Sequence, residues 1–119
     1  MQIQNFKDLI VWQKAMMLAE ESYKITNVFP QSELFGLVSQ IKRSAISIPS
    51  NIAEGNKRGT KDYVRFLKIA YGSSAELETQ LLLSQKLFPT VDFSKTINLV
   101  IEVEKMISTI ITKLSSENE

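Results

Sequence analysis

Glu54 and Glu76 are the side chains best suited to chemistry. Each carboxylate sits in a run of small polar residues, and such a pair could divide general acid and general base duties. Glu54 ends the row Gln40, Ser44, Ser47, Asn51 and Glu54, whose spacings of four, three, four and three put all five on one face of a helix. Glu76 closes "AYGSSAE" at 70–76. The polar row lies beside an apolar face, so it should be partly buried, and buried amides and carboxylates need partners. Arg43, Arg58, Glu76 and Glu78 are the candidates. The rest of a catalytic apparatus is missing. The chain has no histidine and no cysteine. Ser–His and Cys–His nucleophiles, histidine zinc sites and iron–sulfur ligation are therefore excluded. No carboxylates are spaced like a calcium loop. The row reads as a structural polar network that sets helix register, and no catalytic residue, metal ligand or cofactor is assigned.

Charge placement is the second feature. Lys42, Arg43, Lys57, Arg58, Lys61, Arg65 and Lys68 are seven of the fourteen basic residues, whereas Glu54 and Asp62 are the only acids between 42 and 68. That window carries about +5 in a chain of net charge +1, and most of these cations fall near one predicted helix–helix turn. A basic end of this kind can neutralise phosphates. It also serves as a solvated helix end, and no nucleic-acid motif decides between the two.

The elements that must position these residues follow from apolar periodicity. Three prolines and four glycines fall mostly at boundaries and divide the chain into four stretches of helical period. Helices are predicted over about 8–26, 32–55, 60–87 and 92–115. In the first, Leu9, Trp12, Met16, Ala19 and Tyr23 form one apolar row, and Val11, Ala15, Leu18 and Ile25 form a second beside it. The second helix carries Leu34, Leu37, Val38, Ile41, Ala45, Ile48 and Ile52, with Gly55 expected just past its end and "NKRG" as the turn. Thr60 is expected to cap the third helix and Asp92 the fourth. Four such helices on short connections make an all-α, up-down-up-down antiparallel four-helix bundle, a single domain over 1–119.

Pro49 removes a helix hydrogen bond and should bend its helix, with Ser47 and Ser50 available to the freed groups. The small residues around Gly72 allow a close backbone approach, expected against the kinked segment. Ile46, Pro49 and Ala53 point away from the main core stripe. With Trp12 and the extra row of the first helix, they supply more apolar surface than one bundle needs, which argues for self-association. With 44% hydrophobic and 23% charged residues the composition is that of a folded domain, and no apolar run approaches the ~20 residues that span a bilayer. A cytoplasmic protein without a membrane partner is expected.

Four segments, "FKDLIVWQKA" (6–15), "FPQSELFGLVSQIKRSAISIPSNIAEG" (29–55), the basic turn and "FLKIAYGSSAELETQL" (66–81), resemble the 23S rRNA intervening-sequence proteins. The pairing of "SIPSNIAEG" with "GSSAELE" is the specific part. The resemblance implies a small antiparallel bundle, assembly into ring-like pentamers and no enzymatic activity. Some members are encoded within segments that interrupt 23S rRNA genes. A related branch, the accessory proteins of diversity-generating retroelements, binds nucleic acid and a protein partner, the reverse transcriptase. Matched residue by residue, Ser47, Pro49, Asn51, Glu54, Gly55, Gly72, Ser73, Glu76 and Glu78 are the structural signature. Lys42, Arg43, Lys57, Arg58, Lys61, Arg65 and Lys68 are the candidates for contact with RNA or DNA. This chain is nearly neutral overall, unlike the retroelement accessory proteins.

Overall fold

A computed structural model describes residues 5–117. Helices α1 (Ile10–Thr26), α2 (Ser39–Arg58), α3 (Thr60–Leu87) and α4 (Ser94–Glu117) form an antiparallel bundle with principal extents of 49 × 20 × 20 Å. Each helix packs on the next, and α4 closes back on α1. No strand occurs among the described residues.

Two cross-helix registrations fix the levels in the bundle. Ser47 Oγ lies 2.8 Å from Ser73 Oγ, and Gly55 lies against Phe66, which sets α2 against α3. The Lys42 ammonium lies 4.9 Å from the centre of the Tyr23 ring, which sets α1 against α2. Ion pairs tie α1 to α4 at two further levels, Lys14–Glu102 at 3.1 Å and Lys95–Glu21 at 3.2 Å.

The two apolar rows of α1 exchange the importance their composition suggests. The narrower row, Val11, Ala15 and Leu18, enters the core and continues as buried Ser22 and Thr26. Their hydroxyls donate to the carbonyls of Leu18 and Tyr23, both at 2.8 Å, so burial leaves neither unpaired. Trp12 and Ala19 are half-buried, Met16 and Tyr23 exposed. Helix α3 buries Phe66, Leu67, Ala70, Ser74, Leu77, Leu81 and Ser84 as its period demands, and α4 adds Val103 and Thr96 to Phe93, Val100 and Ile107.

Helix α2 is displaced from its expected bounds at both ends. Residues Gln31–Glu33 form a 3₁₀ turn and Leu34–Val38 a wide π-type turn, so regular helix begins only at Ser39. Leu34 is consequently exposed, and Phe35 is 92% exposed. At the other end the helix runs through Asn56, Lys57 and Arg58, which are helical rather than a turn. Gly55 is not the terminating glycine. Gly59 is, with φ 99°, in the left-handed region that favours glycine. Thr60 does not cap α3 but opens it, and the Gly59 carbonyl accepts from the N–H groups of Asp62 and Tyr63. Asp92 does cap α4, accepting from the Ser94 N–H at 2.9 Å and its hydroxyl at 2.6 Å. These two bonds hold the Asp92 carboxyl below the usual carboxylate range.

Gly55 is required for a different reason. A Cβ built there would stand 2.6 Å from the Phe66 Cβ and 3.2 Å from Tyr63 Cδ1. The first of these neighbours is tied to the α3 backbone and cannot rotate away. Gly55→Ala should therefore destabilise the bundle by about 1–3 kcal/mol in urea unfolding, despite a helix-propensity gain of ~1 kcal/mol. An unchanged or raised midpoint would show that the approach is not tight.

Candidate nucleic-acid interface

The one-residue turn at Gly59 brings the end of α2 and the start of α3 together, and five of the seven candidate cations with them. They fall into two groups. Arg58 is engaged: its guanidinium donates to Glu54 Oε2 at 3.0 and 3.2 Å, lies 3.8 Å from Asp62 and rests over the Phe66 ring at 5.0 Å. Arg65 also lies over Phe66, at 4.7 Å, and 3.9 Å from Asp62. Two arginines, two acids and one buried ring thus form a network that closes this end of the bundle. Lys57, Lys61 and Lys68 are exposed and have no ion-pair partner among the described residues. Lys61, Arg65 and Lys68 recur at four and three residues along α3, with Val64 and Ile69 between them, around a shallow depression of about 570 Å³. Lys42 and Arg43 do not join this cluster. They lie four turns down α2, Lys42 over Tyr23 and Arg43 in solvent.

The polar row of α2 also divides. Asn51 donates through Nδ2 to the Ser47 carbonyl at 2.8 Å and to Ser47 Oγ at 3.0 Å, and Ser47 meets Ser73 across the helix pair. This is the polar seam against α3. Glu54 is no part of it. Of its candidate partners Arg58 takes it, one turn along the same helix and half in solvent. Gln40 is exposed. Ser47 spends its hydroxyl on Ser73 and Asn51, and Ser50 is exposed. Glu76 is exposed and level with Ala45, nine residues from Glu54, so the imagined carboxylate pair stands roughly 13 Å apart along the axis.

The carboxylates that do meet are Glu78 of α3 and Glu104 of α4. Burial first, then a hydrogen bond with Glu78 and the charge of Glu78, push the Glu104 carboxyl up to about 7. Its signal in the sequence is a gap. Ile97, Val100, Glu104, Ile107 and Ile111 keep helical spacing, so Glu104 interrupts an apolar stripe. The pairing with Glu78 could not be read, because nothing in the sequence sets the rotation of α3 against α4.

A second feature is a groove between α1 and α2 of about 680 Å³, lined mainly by Trp12, Met16, Tyr23, Ile46, Pro49 and Ala53. Pro49 is buried and Ile46 is 47% exposed. Gly72, by contrast, meets nothing: a Cβ there would find no atom within 4 Å. The close backbone approach within the chain belongs to Gly55, while Ser73 makes the contact with α2.

The Glu78–Glu104 pair makes stability depend on pH. Glu104 keeps its proton in the folded chain at pH values where the unfolded chain, near 4.5, has lost it. Its contribution is complete below pH 4.5 and is lost as pH rises through about 7. Glu104→Gln should flatten this fall, so the variant gains on the wild type in thermal midpoints measured from pH 4.5 to 8. A constant difference across that range would remove the shared proton from the account.

No helix among the described residues is long and apolar enough to cross a membrane. A search of curated proteins finds no match to the chain. The sequence profile of one family, described as 23S rRNA-intervening sequence protein, matches residues 7–109 and so covers α1, α2, α3 and most of α4. The chain belongs to the 23S rRNA-intervening sequence protein family.

Proposed function

We propose that this protein is a non-enzymatic, self-associating bundle of the cytoplasm that binds an RNA or DNA backbone through its α2–α3 end. One observation carries the reading: Lys57, Lys61 and Lys68 stand exposed, without an ion-pair partner among the described residues, beside an arginine network that holds their helices in place. Of the two aromatic rings at this end, Phe66 is buried beneath Arg58 and Arg65 and Tyr63 is partly buried against Gly55. Neither stands free as a stacking platform, which favours contact with phosphates without base readout. The family description refers to 23S rRNA, which favours RNA over DNA. Assembly, with a pentamer as the expected form, would multiply a modest local charge by the number of copies on one rim.

A second reading is favoured by the apolar groove between α1 and α2, whose lining suits a protein surface. On that reading the assembly is an adaptor for a partner protein and touches no nucleic acid. Fluorescence anisotropy with a structured RNA between 50 and 200 mM salt separates the two. The expected result is salt-dependent binding that Lys61→Glu with Lys68→Glu weakens at least about tenfold, with a salt slope lower by about 2. Absence of binding at micromolar protein in low salt, or binding indifferent to this double substitution, overturns the nucleic-acid reading.

A further inference from the structure

We propose that the α1–α2 groove receives the outer face of α3 from a second copy of this chain, centred on Gly72. The inference rests on the self-association proposed above and names the two faces that make it. A glycine inside a helix costs about 1 kcal/mol relative to alanine, and at Gly55 the fold explains that cost. At Gly72 nothing among the described residues does, because a Cβ there would stand in open space. Around it Ile69, Glu76 and Leu83 are exposed and follow helical spacing, so α3 presents a partly apolar row away from its own core.

Levels in the bundle show what this row would meet. The contact of Ser47 with Ser73, and of Gly55 with Phe66, puts Gly72 level with Pro49. The contact of Lys42 with Tyr23 puts Pro49 level with Met16. Rotation about an axis parallel to the bundle leaves every residue at its own level, as in a closed ring built from heterologous contacts. The neighbour's α3 would then lay Gly72 over Pro49 and Met16 at the middle of the groove, where a side chain would stand in the way. Ile69 would reach Trp12 and Ala53. Leu83 would come level with Val28, which is 59% exposed.

Of the charged residues near the level of Glu76, Glu20 and Lys24 line the groove and Lys42 and Arg43 stand on α2, three cations to one acid. Glu76 has no ion-pair partner among the described residues, and neither has Arg43. Glu76 of one copy falls within about a helical turn, 5.4 Å of rise, of the levels of Lys42 and Arg43 in the next. Complementary charge at the rim of an apolar contact selects the register and disfavours others.

Sedimentation velocity tests the assignment on the full chain, with circular dichroism to follow the fold. The wild type should sediment as an oligomer. Gly72→Gln should sediment as a monomer of unchanged helix content, since a Cβ at this position meets no atom within 4 Å among the described residues. Glu76→Lys should weaken association about tenfold, and adding Arg43→Glu should restore it. If Gly72→Gln keeps the wild-type mass, the faces are wrongly assigned although self-association stands. A wild type that remains monomeric at ~100 µM overturns self-association and this inference together. Neither result bears on RNA binding by the monomer.

Discussion

The distance between α2 and α3 is set where Gly55 meets Phe66 and Tyr63, and the remainder of the bundle is built on that approach. With no side chain at Gly55, Phe66 can sit under the end of α2, buried, with two guanidinium groups over its ring. The same closeness lets the two short side chains of Ser47 and Ser73 reach each other eight residues lower. Longer polar residues at either position would need a wider separation, which would open a cavity around Phe66. Packing and polar satisfaction therefore select the same interhelical distance, and agreement of this kind is what specifies one structure.

The oddities of α2 acquire separate causes. Pro49 stands inside a helix that continues for nine residues beyond it, its own ring buried on the side of α1. Asn51 bonds back to the Ser47 carbonyl and hydroxyl, which ties the polar seam to its own helix, whereas the carbonyl that Pro49 leaves without its N–H donor is that of Ala45. Glu54 does something unrelated, holding Arg58 in the final turn, where a cation also complements the helix dipole. Three residues within six positions of sequence thus serve three different neighbours.

How much could be read beforehand follows from which distances were local. Four helices, their order and most core positions of α3 and α4 came from a period of 3.6, which packing enforces within each helix. The end of α2 was misplaced because Gly55 and Gly59 are both plausible terminators, and only the approach of Phe66 shows that the first is needed for clearance. The choice between the two rows of α1 was equally hidden. Trp12, Met16 and Tyr23 are larger and more apolar than Ala15 and Ser22, yet the small residues are the ones buried where α1 packs on α2 and α4. At the candidate interface five of the seven cations were legible as a cluster, and Lys42 and Arg43 lie four turns away on α2. Their division was half legible: Glu54, Arg58 and Asp62 repeat every four residues, but the role of Phe66 depends on the fold.

A connection of one residue has a thermodynamic meaning as well as a geometric one. Basic segments on long loops must be ordered when they meet a polyanion, and each residue fixed costs about 1–2 kcal/mol of conformational entropy. Here Lys57 and Lys61 stand on regular helix on either side of Gly59, so the backbone that carries them is ordered before any encounter. Only side-chain rotamers remain to be fixed, at about 0.5–1.5 kcal/mol each. A small number of charges presented in this way loses little on contact, and the cations keep their mutual spacing whatever surface they approach.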